Sequence, residues 1–370
     1  TGKMAPLAMQ IKNAIEIWED EINGTGGIYV KEFDKKIPVE VKILDDESVG
    51  LKTISQLEAL KEWGAVAYLG GIGCESFEIG TAVAMKNEIP WIGPGCAGWA
   101  PHQRSNSFLF STFFKTPFLS PMVFDMVESM PEPRPNKVAI FEINQLDCQE
   151  ACGYWRERAQ EGGFEIVFDQ KYAAGTSDFS ALITGAKAAG AEILLAYPTP
   201  PGGPLIVKQM KELGFAPKLC YWVRAPEGTA FGPALGELAD YICVPVAWSN
   251  QLHLPGCDEL NAEHMKRQGR PGDPITGSAY AACQVLADAI GRAGTLDEIA
   301  IRDALRASDM ETVAGRIYFA PEGYALDRAL YVLQWMNGEQ KIVFCNEDAQ
   351  KYSDLIPMVD LKWQPAWSDR

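Results

Sequence analysis

Runs of β-rich, apolar sequence alternate with helical segments along most of this 370-residue chain, and that alternation leaves few architectures open. Residues 7–22, LAMQIKNAIEIWEDEI, place Ile11, Ile15, Trp18 and Ile22 on one face of a helix that Asn23-Gly24 stops. PVEVKIL (38–44) reads as a strand, closed by an acidic turn, Asp45-Asp46-Glu47-Ser48. A helix over 50–62, a strand AVAYLG (65–70), a helix over 75–87 and a strand IPWIG (89–93) follow. The middle repeats the theme, with strands KVAIFEI (137–143), FEIVFDQKYA (164–173), AEILLAY (191–197), KLCYWV (218–223) and DYICVPVA (240–247). Helices over 148–160, 177–190 and near 204–213 separate them, and 252–309 turns mainly helical. RIYF (316–319), ALYVLQW (329–335) and KIVFCN (341–346) read as late strands. Buried strands separated by helices specify an α/β chain whose parallel sheets carry helices on both faces. The length predicts two domains. No serine- and glycine-rich linker divides the halves, so several chain crossings are expected between them.

Charge and composition exclude other classes. A formal net charge of -16 repels nucleic acid and anionic membrane surfaces, so neither is expected as a partner. No stretch approaches the ~20 consecutive apolar residues of a membrane span, and no basic-then-apolar leader is visible. None of the nine cysteines forms a CxxC pair, and His102, His253 and His264 are not at zinc-finger spacing from two of them. Neither a metal nor another cofactor is expected. Cys220, Cys243 and Cys283 lie in apolar elements and read as small core residues.

The stretch AYLGGIGCES (67–76) ends a predicted strand and opens a predicted helix, where open parallel sheets bind ligands. As a dinucleotide fingerprint it gives only GxGxxS, and no acid follows about twenty residues on. No GxxxxGK[ST] phosphate loop or GxSxG nucleophile elbow occurs. Cys74 at a helix start could serve as a nucleophile, but sequence places no histidine beside it. The remaining reading is a binding loop in which the N–H groups from Gly73 to Ser76 face a carboxylate or another acceptor. WIGPGCAGWA (91–100) ends the next strand in small residues, where Gly95, Cys96 and Ala97 permit close backbone approach.

These stretches, in this order, resemble the type I periplasmic solute-binding proteins of the leucine/isoleucine/valine-binding family, which serve ABC importers. TGKMAPLAMQIKNAIEIWEDEINGTGG (1–27) and VEVKILDDES (39–48) carry the likeness, with AYLGGIGCES and MKNEIPWIGPGCA (85–97). GTSDFSALITGAKAAGAEILLA (175–196) and PITGSAYAACQVLADAI (274–290) extend it over almost the whole chain. The resemblance implies two doubly wound parallel-sheet lobes with a three-crossing hinge near Ser111–Phe114, Val244–Trp248 and Asp327–Tyr331. It assigns 1–112 and 249–328 to the N-terminal lobe and 113–248 and 329–370 to the C-terminal lobe. It also implies a first strand upstream of Thr1.

By the same resemblance the chain is a monomeric, exported protein, periplasmic or extracytoplasmic, with a lipid-anchored precursor as one form. It would capture a small organic ligand between closing lobes and present it to a membrane permease, with no chemistry. The implied contacts are Leu7, Gly73, Cys74, Glu75, Gly95, Ala97, Asp147, Thr199, Arg224 and Ile275. Members that take amino acids present hydroxyls in the two first-lobe loops, where this chain has Cys74 and Ala97. That departure, with Ile72, Trp91, Trp99, Tyr197 and Trp222, favours a carboxylate with an apolar or aromatic part over an amino acid. The rivals are a ligand-sensing receptor domain of the same fold and an α/β enzyme using Cys74.

Overall fold

The structure, a computed structural model, describes residues 1–103 and 107–370. The chain builds two compact units. Unit one comprises Thr1–Lys115, Ala247–Ala329 and Lys351–Leu355, and unit two comprises Thr116–Val246, Leu330–Gln350 and Ile356–Arg370.

The chain opens unit one with helix α1 (Ala5–Gly24), which carries Pro6 in its first turn, where no intrahelical N–H is lost. Its apolar stripe, Leu7, Ile11, Ala14, Ile15 and Trp18, is buried. A hairpin of β1 (Ile28–Val30) and β2 (Lys35–Ile37) follows, then α2 (Gly50–Trp63) and β3 (Tyr68–Leu69). Helix α3 (Cys74–Asn87), β4 (Trp91–Gly93) and β5 (Leu109–Ser111) complete the first passage. Unit two then contributes β6 (Lys137–Ile143), β7 (Glu165–Tyr172), β8 (Ile193–Ala196), β9 (Leu219–Trp222) and β10 (Ile242–Val246). The chain returns to unit one through the helix Pro274–Ala293 and the hairpin of β11 (Asp309–Thr312) and β12 (Gly315–Tyr318). It re-enters unit two as β13 (Tyr331–Met336) and β14 (Glu339–Cys345).

Unit one holds a three-stranded sheet, β3-β4-β5, wholly parallel. Unit two holds seven strands in the order β14-β13-β10-β9-β8-β6-β7. Its five strands from β10 to β7 are parallel, whereas β13 and β14 add antiparallel at one edge. Every residue of β8, β9 and β10 is buried, which is why these strands read as continuous apolar runs rather than alternations.

One expected strand does not form. Residues 38–44 join no ladder, because β propensity supplies a suitable surface but not a neighbour. Side chains of α1 satisfy this backbone instead. Asn23 exchanges two hydrogen bonds with Val39, both 2.8 Å, and Glu19 Oε1 accepts from Val41 N at 2.8 Å. Beside this segment lies an apolar groove of about 200 Å³, lined by Trp18, Ile28, Val41, Tyr68, Leu286 and other residues. RIYF was expected and forms β12, whereas its partner β11, the hairpin β1–β2 and the short β5 were not anticipated, since such short segments lack a sustained run of apolar residues.

Candidate functional site

In unit one, the candidate residues gather where β3 and β4 end. Gly70, Gly71 and Gly73 have φ of 103°, 95° and 87°, which only glycine adopts without strain. A Cβ at Gly71 would press on the rings of Trp91 and Phe77, at 3.0 and 3.1 Å. Those rings stack with centroids 4.5 Å apart, and Trp91 Nε1 donates to Gly70 O at 2.9 Å. The two loops are joined directly: Gly73 N donates to Gly95 O at 3.0 Å, while a Cβ at Gly95 would stand 2.5 Å from Gly71 O. This corrects one expectation, because the Gly73 N–H is spent inside the loop pair rather than facing a ligand. The first turn of α3 still offers N–H groups without intrahelical partners, as at Glu75 and Ser76.

Cys74 opens α3, and its Sγ accepts from Gly98 N at 3.2 Å and lies 3.0 Å from Cys96 Sγ. Lys115, wholly buried, holds this second loop from behind, donating to Cys96 O at 2.5 Å and Ser111 Oγ at 2.9 Å. Ala97 is buried in the same loop. Leu7 and Ile275 are buried on α1 and on Pro274–Ala293, where Ile275 N donates to Gln10 Oε1 at 3.1 Å. Glu75 turns elsewhere. Its carboxylate is exposed, 3.9 Å from Lys3, and its side chain lies beside Gly50 at the start of α2. The acidic turn is structural, since Asp46 accepts from Thr53 Oγ1 at 3.0 Å and Ser76 Oγ at 3.2 Å, tying α2 to α3.

In unit two, the first turn of the helix Leu146–Glu161 after β6 and the loops after β8 and β9 bring Asp147, Tyr197 and Arg224 together. Arg224 forms a buried ion pair with Asp147, donates to Gln145 Oε1 at 2.9 Å, and stacks 4.4 Å from the Tyr197 ring centroid. Its backbone is strained, with φ 76° and ψ -69°. Arg224 N donates to Glu227 Oε1 at 3.0 Å, and burial pushes the Glu227 carboxyl up to about 8. Thr199 is tied to the start of the helix Gly202–Glu212 instead, accepting from Gly202 N at its Oγ1 (3.3 Å) and from Gly203 N at its carbonyl (3.0 Å).

The three imidazoles are engaged elsewhere. His102 bonds Glu322 O at 2.9 Å, His253 bonds Asp258 at 3.0 Å, and His264 bonds Arg270 O at 3.0 Å. Burial, with the Lys115 charge adding to it, holds the His102 imidazole well below its usual range. Sequence reasoning passed over Lys115, Gln145 and the pairing of Cys74 with Cys96. The one available signal was Lys115 itself, a lone cation in the apolar run LFSTFFKTPFL, where a charge is buried only with partners. Among the described residues no helix is long and apolar enough to cross a membrane.

Two α/β units with ligand-type loops at the carboxyl ends of parallel strands define a class of binding protein. The chain belongs to the periplasmic binding protein family, whose model matches residues 1–340. Among its relatives is Leu/Ile/Val-binding protein homolog 7 of Brucella abortus, 23% identical over 379 residues, covering 96% of this chain and 91% of the relative. A similar solved structure is the branched-chain amino acid transporter substrate binding protein LivJ from Streptococcus pneumoniae with isoleucine. Its TM-score is 0.83 at 21% identity, covering 93% of this chain and 96% of that one. Another is an ABC transporter solute binding protein from R. palustris with benzoate, with a TM-score of 0.79, 16% identity and 93% of each chain covered. The resemblance drawn from the sequence, and the type I fold it implied, hold.

Proposed function

We propose that this chain is the extracytoplasmic solute-binding component of an ABC importer, and that its ligand is a small carboxylate with an apolar or aromatic part. The observation that carries the ligand class is the make-up of the joined loops in unit one. They offer a thiol at Cys74 and a methyl at Ala97, where an amino-acid clamp would use hydroxyls. In unit two the Asp147 carboxylate is already paired with Arg224, which disfavours its use on an α-ammonium group. The Tyr197–Arg224 stack adds a flat, cation-bearing surface suited to an aromatic acid. Gly73, Cys74, Gly95 and Ala97 would contact ligand through backbone or close approach, Asp147 and Arg224 through charge, and Leu7 and Ile275 as apolar support. Glu75 and Thr199 would act through backbone, since their side chains serve neighbouring helices. The protein would act as a monomer and hand its cargo to a membrane permease without chemical change.

Calorimetry with benzoate and with leucine tests the ligand class, since similar structures hold benzoate and the branched-chain amino acid isoleucine. Benzoate-type acids should bind more tightly. Tighter leucine binding overturns the ligand class, and turnover of any bound compound overturns the transport reading.

A further inference from the structure

We propose that Cys74 and Cys96 form a peroxide-sensitive dithiol that closes to a disulfide and locks the two loops together. Both residues already occupy a joined frame, because Gly73 N donates to Gly95 O at 3.0 Å, one residue before each cysteine. Their sulfurs are 3.0 Å apart, ~1 Å beyond the ~2.05 Å of a disulfide bond. The closure therefore needs only a small side-chain adjustment, not a loop rearrangement.

The two thiols are not equivalent. The Cys74 sulfur accepts from Gly98 N at 3.2 Å and from the Cys96 thiol, and it stands at the first residue of a 14-residue helix. Backbone donors and the helix N-terminus both favour negative charge on that sulfur. Cys74 also keeps 8% of its surface exposed against 1% for Cys96. Cys74 is thus the attacking thiol and Cys96 the resolving one. So narrow an opening suits a small oxidant, and hydrogen peroxide is the one assigned.

The chemistry balances in two steps. Cys74 sulfur attacks one peroxide oxygen, the O–O bond breaks, and the departing hydroxide takes the thiol proton as water, leaving a sulfenic acid. Cys96 sulfur then attacks Cys74 sulfur, the S–S bond forms, the S–O bond breaks, and hydroxide leaves with the Cys96 proton as a second water. Two thiols and one peroxide give one disulfide and two waters. The proposal is independent of which ligand the loops hold.

The test uses the intact, reduced protein in native buffer. Peroxide is added and then destroyed, remaining thiols are alkylated in denaturant, and trypsin cuts after Lys61, Lys86 and Arg104. That places Cys74 and Cys96 in separate peptides, 62–86 and 87–104. The expected product is these two peptides joined, lighter by two hydrogens than their sum, and released by reductant. Cys96→Ser should lose the joined product and leave Cys74 as a sulfenic acid that dimedone traps, whereas Cys74→Ser should leave Cys96 alkylated. Recovery of both cysteines alkylated in the wild type would overturn the proposal. So would a joined product that appears only when peroxide is added in denaturant.

Discussion

Gly73 and Gly95 sit one hydrogen bond apart yet would resist substitution for different reasons. An added Cβ at Gly73 would meet only Met4 Cε at 3.9 Å, so the obstacle to alanine is the φ of 87°. Gly73→Ala should cost about 1–3 kcal/mol in urea unfolding, the range for a strained backbone position. At Gly95 the obstacle is the carbonyl of Gly71, 2.5 Å from any Cβ, so Gly95→Ala should cost more and should separate the loops. Glu227 makes a pH prediction. Its folded carboxyl keeps its proton to about pH 8, against an ordinary value of 4.5. The folded state therefore binds more protons than the unfolded state in that window. Stability from this group is complete below pH 4.5, falls as pH rises, and is gone above about 8. The slope should approach ~1.4 kcal/mol per pH unit at most, and Glu227→Gln should flatten it in denaturant titrations across this range. Of these residues, the glycines were legible in the sequence because local strand-to-helix geometry demands them, and Cys74 as the residue that opens the helix after them. Lys115 and the Arg224–Asp147 pair were only partly so, because their partners lie 19 and 77 residues away and come from tertiary structure.

At the scale of elements, strands such as β8, β9 and β10 were read from the sequence because both their faces are buried and every residue is apolar or nearly so. Residues 38–44 carry an alternating β pattern but no ladder, since a strand exists only where a neighbour accepts its hydrogen bonds. Asn23 stands in for that neighbour. Asn23→Ala should therefore leave two backbone groups of Val39 without their partners and cost ~1–3 kcal/mol, read by chemical denaturation. Asn23→Asp, which retains the acceptor alone, should fall between. The α3 region carries a second consequence. Cys74 and Cys96 are 22 residues apart, and a loop of that length closed by a disulfide restricts the unfolded chain by about 3 kcal/mol. Peroxide-treated protein should unfold at correspondingly higher denaturant than the reduced form, and Cys96→Ser should show no difference between the two. Equal midpoints in the wild type would mean that closure strains the folded loops by as much as it restricts the unfolded chain.

For the whole molecule, ligand should register as linkage. At a hundred times its dissociation constant, a ligand of the folded state alone adds ~2.7 kcal/mol, or about 3 °C in a chain of this length. Thermal shift across aromatic acids, aliphatic acids, amides and branched amino acids should place the largest change with an aromatic acid. Arg224→Met should remove most of that change while Glu75→Gln, altering an exposed carboxylate, should not. The alternation of segments between units has a temporal consequence. Helix α1 packs on Pro274–Ala293, and its Gln10 waits for Ile275, 265 residues later. At ~5–20 residues per second, a ribosome takes roughly 13–53 s to deliver that partner. Throughout that interval the amino-terminal region lacks the surface that buries its apolar stripe, so it emerges as an unfinished, threadable chain that chaperones can hold. The order of synthesis thus delays the folding of a helix made long before its partner.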